Sequence, residues 1–355
     1  MRRSPPKRRK PDGNVRLFAR ASVPAREKRA PLCYNGEITT VRPGGRGMED
    51  SMDIRTAAVV GAGALGTMYG QQIGKALGWD AVRIVTDPAR AARYRKDGVL
   101  ANGEPCPFRY FDGTEAAEPA DLVLFAVKFG GLAEAMEEAA PLVGRHTVLL
   151  SVMNGVTSED LLAERFGAAH VLLCTAQGMD ATRHGNDTRF THTGNLWIGP
   201  RQAGQEADAE AAADFLGRAG IAYELADDMK LRLWRKLMMN VGINQATAVF
   251  ETGYGGVKVP GEARDVMIAA MEETKAVANA MDIPLTEEDI AYWLDLTEQF
   301  DDRGMPSMRQ DLLAGRKTEL DLFAGTIRRF GAAHGVATPV NDLLYRLIRK
   351  MEGSE

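Results

Sequence analysis

Lys236, Asn240 and Asn244 recur at intervals of four in the segment KLMMNVGIN. At 3.6 residues per turn, that spacing keeps all three on one helical face, drifting only about 40° per step. The residues between them are apolar and suited to burial. Burying a lysine and two amides without partners costs several kcal/mol, so the stripe points to a cleft that takes a polar ligand. The alternative is a surface stripe on a half-exposed helix, since Lys and Asn are ordinary surface residues. In a cleft, the lysine would stabilise developing negative charge and donate a proton, because its pKa moves readily on burial. The amides would orient a hydroxyl or a carbonyl without adding charge. A second cluster runs from Ser307-Met308-Arg309-Gln310-Asp311 to Gly315-Arg316-Lys317-Thr318-Glu319-Leu320-Asp321. On its own it reads as ordinary: Ser307 or Thr318 as helix caps, and Glu319 as a first-turn carboxylate favoured by the helix dipole.

A third set binds rather than reacts. Gly61-Ala62-Gly63-Ala64-Leu65-Gly66 follows the strand-like run Ile54 to Val60 and opens a helix through Leu77. A GxGxxG in that context is a dinucleotide fingerprint. Gly61 allows the tight turn, Gly63 lets backbone approach a pyrophosphate, and Gly66 lets helix and strand pack closely. The helix N-terminus then offers free N–H groups to the phosphates. The second strand ends at Thr86-Asp87-Pro88-Ala89-Arg90. Asp87 suits a ribose 2′-hydroxyl, as in NADH, whereas Arg90 and Lys128 could reach a 2′-phosphate. Lys128 and Asn154 each fall just after a predicted strand, where such folds bind ligands.

These side chains need a frame. Strands are predicted at Val82 to Thr86, Asp121 to Val127, Thr147 to Val152 and Val171 to Thr175. They alternate with helices at Ala89 to Lys96, Gly131 to Leu142 and Ser158 to Phe166, the last with Ser158 as N-cap. Such alternation predicts a parallel sheet with crossover helices. A β segment at Asn195 to Ile198, a helix at Glu206 to Arg218 and a strand at Ile221 to Leu225 come next, and from Asp228 the pattern is helical. The predicted organisation is a basic, disordered extension at 1–51, an α/β Rossmann-type domain at 52–226 and an all-α domain at 227–355. Glu262 to Met281, in the last of these, offers an apolar face either to a homodimer partner or to its own domain.

Composition narrows the classes. The first 50 residues carry 13 Lys/Arg against 5 Asp/Glu, while the whole chain carries 44 against 48. The basic head therefore sits on an acidic body, which argues against nucleic acid as the body's partner. Met52 or Met48 reads as the start of the folded protein. No apolar run approaches the roughly 18–20 residues of a bilayer span, so no membrane partner is expected. Cys33, Cys106 and Cys174 lack any paired spacing, which suits a reducing cytoplasm. The five histidines form no HxxxH or HExxH pattern, so no metal is expected.

Taken together, GAGALG after the first strand, Val127-Lys128, Asn154-Gly155, KLMMNVGINQATAV from Lys236 and SMRQDLLAGRKTELD from Ser307 resemble the ketopantoate reductase family. The likeness runs from about residue 54 to 350. It implies an NAD(P)H-dependent reduction of a 2-oxo acid, with ketopantoate giving pantoate as the first expectation. Position for position it implies Lys236 as general acid and Glu319 as the active-site carboxylate. It makes Asn154, Asn240, Asn244 and Ser307 substrate contacts, with Asn154 also beside the cofactor. It implies NADPH held by Gly61, Gly63, Ala64, Leu65, Gly66, Asp87, Arg90 and Lys128. The family often has Arg at the position of Asp87, and that departure admits NADH. Other expectations kept open are a different 2-oxo acid and a regulatory protein that binds the cofactor without chemistry.

Overall fold

The computed structural model describes residues 53–353. The extension expected at 1–51, with Cys33, lies outside the described residues. The α/β part runs β1 (Ala57–Val60), α1 (Ala64–Leu77), β2 (Val82–Val85), α2 (Pro88–Asp97), the short β3 (Leu100–Ala101) and β4 (Glu104–Pro105), β5 (Arg109–Phe111), β6 (Ala120–Phe125), α3 (Leu132–Ala139), β7 (Val143–Ser151), α4 (Ser158–Phe166), β8 (Leu173–Met179), β9 (Thr182–His184), β10 (Asp187–Arg189), β11 (Thr193–Gly199), α5 (Glu206–Arg218) and β12 (Tyr223–Leu225). The remainder is helical: α6 (Met229–Met239), α7 (Gln245–Val249), α8 (Gly255–Lys258), α9 (Glu262–Ala280), α10 (Glu287–Thr297), α11 (Ser307–Leu313), α12 (Ala324–His334) and α13 (Pro339–Met351). This is the predicted class, a Rossmann-type α/β part followed by helices.

The main sheet has the order β5-β2-β1-β6-β7, and every pairing in it is parallel. A bridge between Leu149 and Val171 joins it to a second sheet, β12-β11-β8. All four residues of β1 are buried, as expected of a strand covered on both faces. Ala57 and Val59 enter the core shared with α1 and α5, and Ala58 and Val60 the core shared with α3 and α4. With both faces closed, ligand has access only at the strand ends, so the carboxyl-terminal edge is where Gly61, Thr86, Lys128 and Asn154 emerge. The sequence pattern does not reveal β5 or the β9–β10 hairpin, both of three-residue strands too short to show a period.

In the helical part, α9 buries Met267, Ala270, Met271, Thr274, Val277 and Ala278. Its apolar face therefore packs within the chain rather than waiting for a second copy. Gly242 permits this close contact, because a Cβ there would lie 2.5 Å from Met271 Cε and 3.1 Å from the Met267 carbonyl. A buried polar net ties the helices together. Gln245 Nε2 donates to Val241 O and Asn341 Oδ1, and Glu273 on α9 accepts from the Val340 and Asn341 N–H groups. A carboxylate from one helix thus satisfies orphan donors at the start of another, α13. Among the described residues, no helix is long and apolar enough to cross a membrane.

Candidate active site

Lys236 lies near the end of α6, 8% exposed. Its Nζ donates to the Ala176 carbonyl of β8 at 2.5 Å. Burial pushes its pKa down to about 8, while Glu319, Cys174 and Glu159 pull it back up. It is a cation held in the interior with its proton loosened, as proton donation near neutrality requires.

The expected unbroken α-helix does not hold through the stripe. Residues Asn240–Asn244 form a π-helical turn between α6 and α7. A widened turn of this kind inserts about one residue, rotating the next turn of helix by about 100° relative to a continuous α-helix, and such turns are frequent at functional sites. Asn240 and Asn244 remain adjacent and buried, 5% and 4% exposed, and Asn244 Nδ2 donates to Asn240 Oδ1 at 3.1 Å. Asn244 Oδ1 accepts from Ser307 Oγ and from the Met308 N–H, both at 3.2 Å. Ser307 is the first residue of α11, not its cap, and its hydroxyl is used on Asn244. The Asn240 Nδ2 group is buried with no partner.

Asn154 and Glu319 form a second pair. Asn154 lies just past β7, and its Nδ2 donates to Glu319 Oε2 at 2.8 Å, across 165 residues of sequence. Gly155 takes φ +94°, and a Cβ there would meet Leu322 Cδ2 at 3.1 Å. The Asn-Gly pair is therefore demanded by a turn pressed against the helical part. Glu319 immediately precedes a 3-10 turn, Leu320–Leu322, not an α-helix. Thr318 Oγ1 donates to Glu352 Oε1 at 2.6 Å and accepts from the Leu320 N–H, so it both caps that turn and anchors the C-terminal helix. Lys128 Nζ reaches Asp311 Oδ2 at 3.2 Å, and Arg316 holds the other oxygen of Asp311.

At the glycine turn, Gly61 has φ +96°, a conformation that favours glycine. A Cβ on Gly66 would sit 1.9 Å from the Gly61 carbonyl. A Cβ on Gly63 would meet only the Ala126 carbonyl, at 3.7 Å. Two glycines answer to packing; the third faces room that a ligand can use. Asp87 is the N-cap of α2: Oδ1 accepts the Arg90 N–H at 2.8 Å, and Oδ2 lies 3.2 Å from Arg90 Nε. The acidic residue and the basic one are thus paired with each other.

Three participants have no clear signal in the sequence. The Ala176 carbonyl has no side-chain signature. Arg183, on the β9–β10 hairpin, donates to the Ala62 carbonyl and to Thr67 Oγ1, steadying the glycine turn from 121 residues away. Glu159 is 2% exposed, with its Oε2 on Ser158 Oγ and its Oε1 unpartnered. Its position after Ser158 gives it the look of a surface first-turn carboxylate. Among the described residues, no group of three or more His, Cys, Asp or Glu side chains is placed to hold a metal ion.

Comparison with known proteins gives the family. The family described as "Ketopantoate reductase PanE/ApbA" matches residues 57–203, and "Ketopantoate reductase PanE/ApbA C terminal" matches 228–352. The 2-dehydropantoate 2-reductase of Vibrio cholerae is 31% identical over 66% of this chain and 79% of its own. A ketopantoate reductase from Ralstonia eutropha superposes with a TM-score of 0.74 at 28% identity, over 84% of this chain and 98% of that one. D-mandelate dehydrogenase, solved with NADH and anilino(oxo)acetate, shares the fold at a TM-score of 0.76 and 24% identity, with the same coverage. With two matched segments that span most of the α/β part and nearly all of the helical part, the chain belongs to the ketopantoate reductase family, oxidoreductases that act on CH–OH groups.

Proposed function

We propose that this protein reduces a 2-oxo acid to its 2-hydroxy acid at the expense of a reduced nicotinamide, with 2-dehydropantoate, giving pantoate, as its substrate. The observation that carries the reading is the buried Lys236, its Nζ on the Ala176 carbonyl, one turn from an Asn240 amide with no partner of its own. A backbone carbonyl holds the lysine, and burial loosens its proton.

The glycine turn fits a dinucleotide, since Gly63 leaves space where a side chain would stand. The residues to hold it are Gly61 through Gly66 and Asn154, with Lys128 and the Asp87–Arg90 pair at the strand ends. NADPH is the proposed partner, because Arg90 can leave Asp87 for a 2′-phosphate; Asp87 leaves NADH open. When bound, the reduced nicotinamide supplies the hydride. Lys236 Nζ holds the proton for the ketone oxygen and stabilises the negative charge that develops there. Asn240 Nδ2 is free to donate to substrate, and Asn244 keeps its orientation fixed. Ser307, on the same net, would face the substrate carboxylate. Glu319, fixed by Asn154, holds the ammonium or the substrate hydroxyl.

A second reading, a larger 2-oxo acid, draws on the fold shared with D-mandelate dehydrogenase. Oxidation of NADPH and NADH across a panel of 2-oxo acids, ketopantoate included, separates the two. Binding of NADPH without turnover on any of them would leave only the regulatory reading. A cytoplasmic location and a homodimer belong to the same proposal, and light scattering of purified protein tests the second.

A further inference from the structure

The glycine turn is held by a residue from outside its own strand–turn–helix unit. Arg183 sits in β9, opposite Thr188 of β10. The hairpin is fixed to the α/β part at two places. β10 pairs with β3, and Asn186 Nδ2 donates to the Asp97 and Gly98 carbonyls, at 3.1 and 3.3 Å, where α2 ends. Carbonyls at a helix C-terminus lack helical partners, so the hairpin has a defined seat on α2.

From that seat the Arg183 guanidinium is used on several sides. Nε donates to the Gly185 carbonyl at 2.9 Å, within the hairpin. Cζ lies 5.2 Å from the centre of the Tyr94 ring, within range of a cation–π contact. Nη1 donates to the Ala62 carbonyl and, at 3.2 Å, to Thr67 Oγ1. Thr67 is fully buried in the first turn of α1, and its own hydroxyl donates to the same Ala62 carbonyl at 3.4 Å. The middle residue of Gly61-Ala62-Gly63 is thus held by a cation and by a hydroxyl.

The orientation this imposes bears on ligand binding. The peptide unit is planar and trans, so the Ala62 C=O and the Gly63 N–H point in opposite directions. Holding the carbonyl on Arg183 therefore turns the N–H away from the hairpin. Among the described residues, no acceptor takes that N–H. Gly63 is the N-cap of α1, so its N–H and those of the first helical turn form a donor set of the kind that receives a phosphate. A peptide flipped the other way would offer a carbonyl oxygen there and repel an anion.

We propose that Arg183 is a positioning residue for the cofactor, one that locks the Ala62–Gly63 peptide so that the Gly63 N–H faces the pyrophosphate. This rests on the reading of the glycine turn as the cofactor site. The pyrophosphate is common to NADPH and NADH, so Arg183 acts on affinity for both and not on the choice between them.

Arg183→Ala should raise the Kd of NADPH and of NADH by about tenfold, the worth of one charge-assisted hydrogen bond. Nucleotide fluorescence reads this with no 2-oxo acid present. The kcat at saturating cofactor should stay within about twofold, because the lost binding is common to ground and transition states. Arg183→Lys keeps a cation with a donor for Ala62 and should recover part of the affinity, though not the fork that also reaches Thr67 and Gly185. Thr67→Val removes the second donor to the carbonyl and should raise both Kd values about threefold; it decides the matter if Arg183→Ala does not fold. A folded Arg183→Ala with unchanged Kd values, whatever its melting temperature, would overturn the proposal. So would a loss confined to NADPH, which would make the arginine a 2′-phosphate ligand. Wild-type protein that binds neither nucleotide would remove the glycine turn as the cofactor site, and this role of Arg183 with it.

Discussion

Replacing Lys236 with methionine should make the protein more stable and nearly inactive, and the stability gain should depend on pH. The side chain is moved from an ordinary lysine value of 10.5 to about 8. At 1.36 kcal/mol per unit, holding it charged in the fold costs about 3 kcal/mol at pH 7. The unfolded chain binds more protons than the folded one between about pH 8 and 10.5, so stability rises with pH through that window. The penalty is complete below pH 8 and absent above 10.5. Methionine fills similar space without charge but leaves the Ala176 carbonyl unpaired, which costs about 1–2 kcal/mol. The net gain at pH 7 is about 1–2 kcal/mol, or about 2–3 °C in melting temperature for a chain of this size. At pH 10 the gain should fall away or reverse. Turnover in the direction of reduction should drop by about 10²–10⁴, the range for loss of a general acid. Differential scanning calorimetry at pH 7 and 10, beside NADPH oxidation, measures both. An equal change in melting temperature at the two pH values would refute the burial argument, and near wild-type turnover would remove Lys236 from the chemistry.

The two inner glycines should separate cleanly. Gly66→Ala puts a Cβ against the Gly61 carbonyl and should cost several kcal/mol or abolish folding, visible by circular dichroism. Gly63→Ala should melt within a degree or two of wild type but weaken cofactor binding in a fluorescence titration; the reverse pattern would misplace the ligand. Asn240→Ala discards an amide N–H with no partner in the protein. It also takes the Oδ1 acceptor from Asn244 Nδ2, so the melting temperature should fall by a few degrees, while KM for the 2-oxo acid rises about tenfold, the worth of one hydrogen bond to a charged group; an unchanged KM would mean that this amide does not meet substrate. Arg90→Ala frees Asp87 Oδ2, while Oδ1 keeps the backbone N–H of residue 90. The ratio of kcat/KM for NADH over NADPH should then rise about tenfold, and a ratio that stays put would place the 2′ recognition elsewhere.

The features legible in the sequence are those that chain-local physics decides. The glycine turn is legible because strand, turn and helix are contiguous, and each glycine answers to an atom within six residues or to a neighbouring strand. Helix α5 is legible too: a helix expected near Glu206 to Arg218 forms there. The π-helical turn is not, because it sits where Gly242 meets Met271 on a helix more than twenty residues later, a contact that leaves no trace in the stripe's own spacing. Asp87 is a different kind of miss. Asp followed by Pro at the start of a helix is a local N-cap signature. Reading it only as a ligand for ribose passes over the hydrogen bond to the Arg90 N–H that the same residues predict. Ser158 misleads in the opposite sense: it has the chemistry of a cap, yet Thr157 takes the cap position and Ser158 turns inward to Glu159. A buried carboxylate needs a donor more than an exposed helix end does, because water can satisfy the helix end and cannot reach the carboxylate. Short-range rules therefore lose at this junction because burial, 2% exposure at Glu159, outweighs what an exposed helix end would ask of the serine hydroxyl.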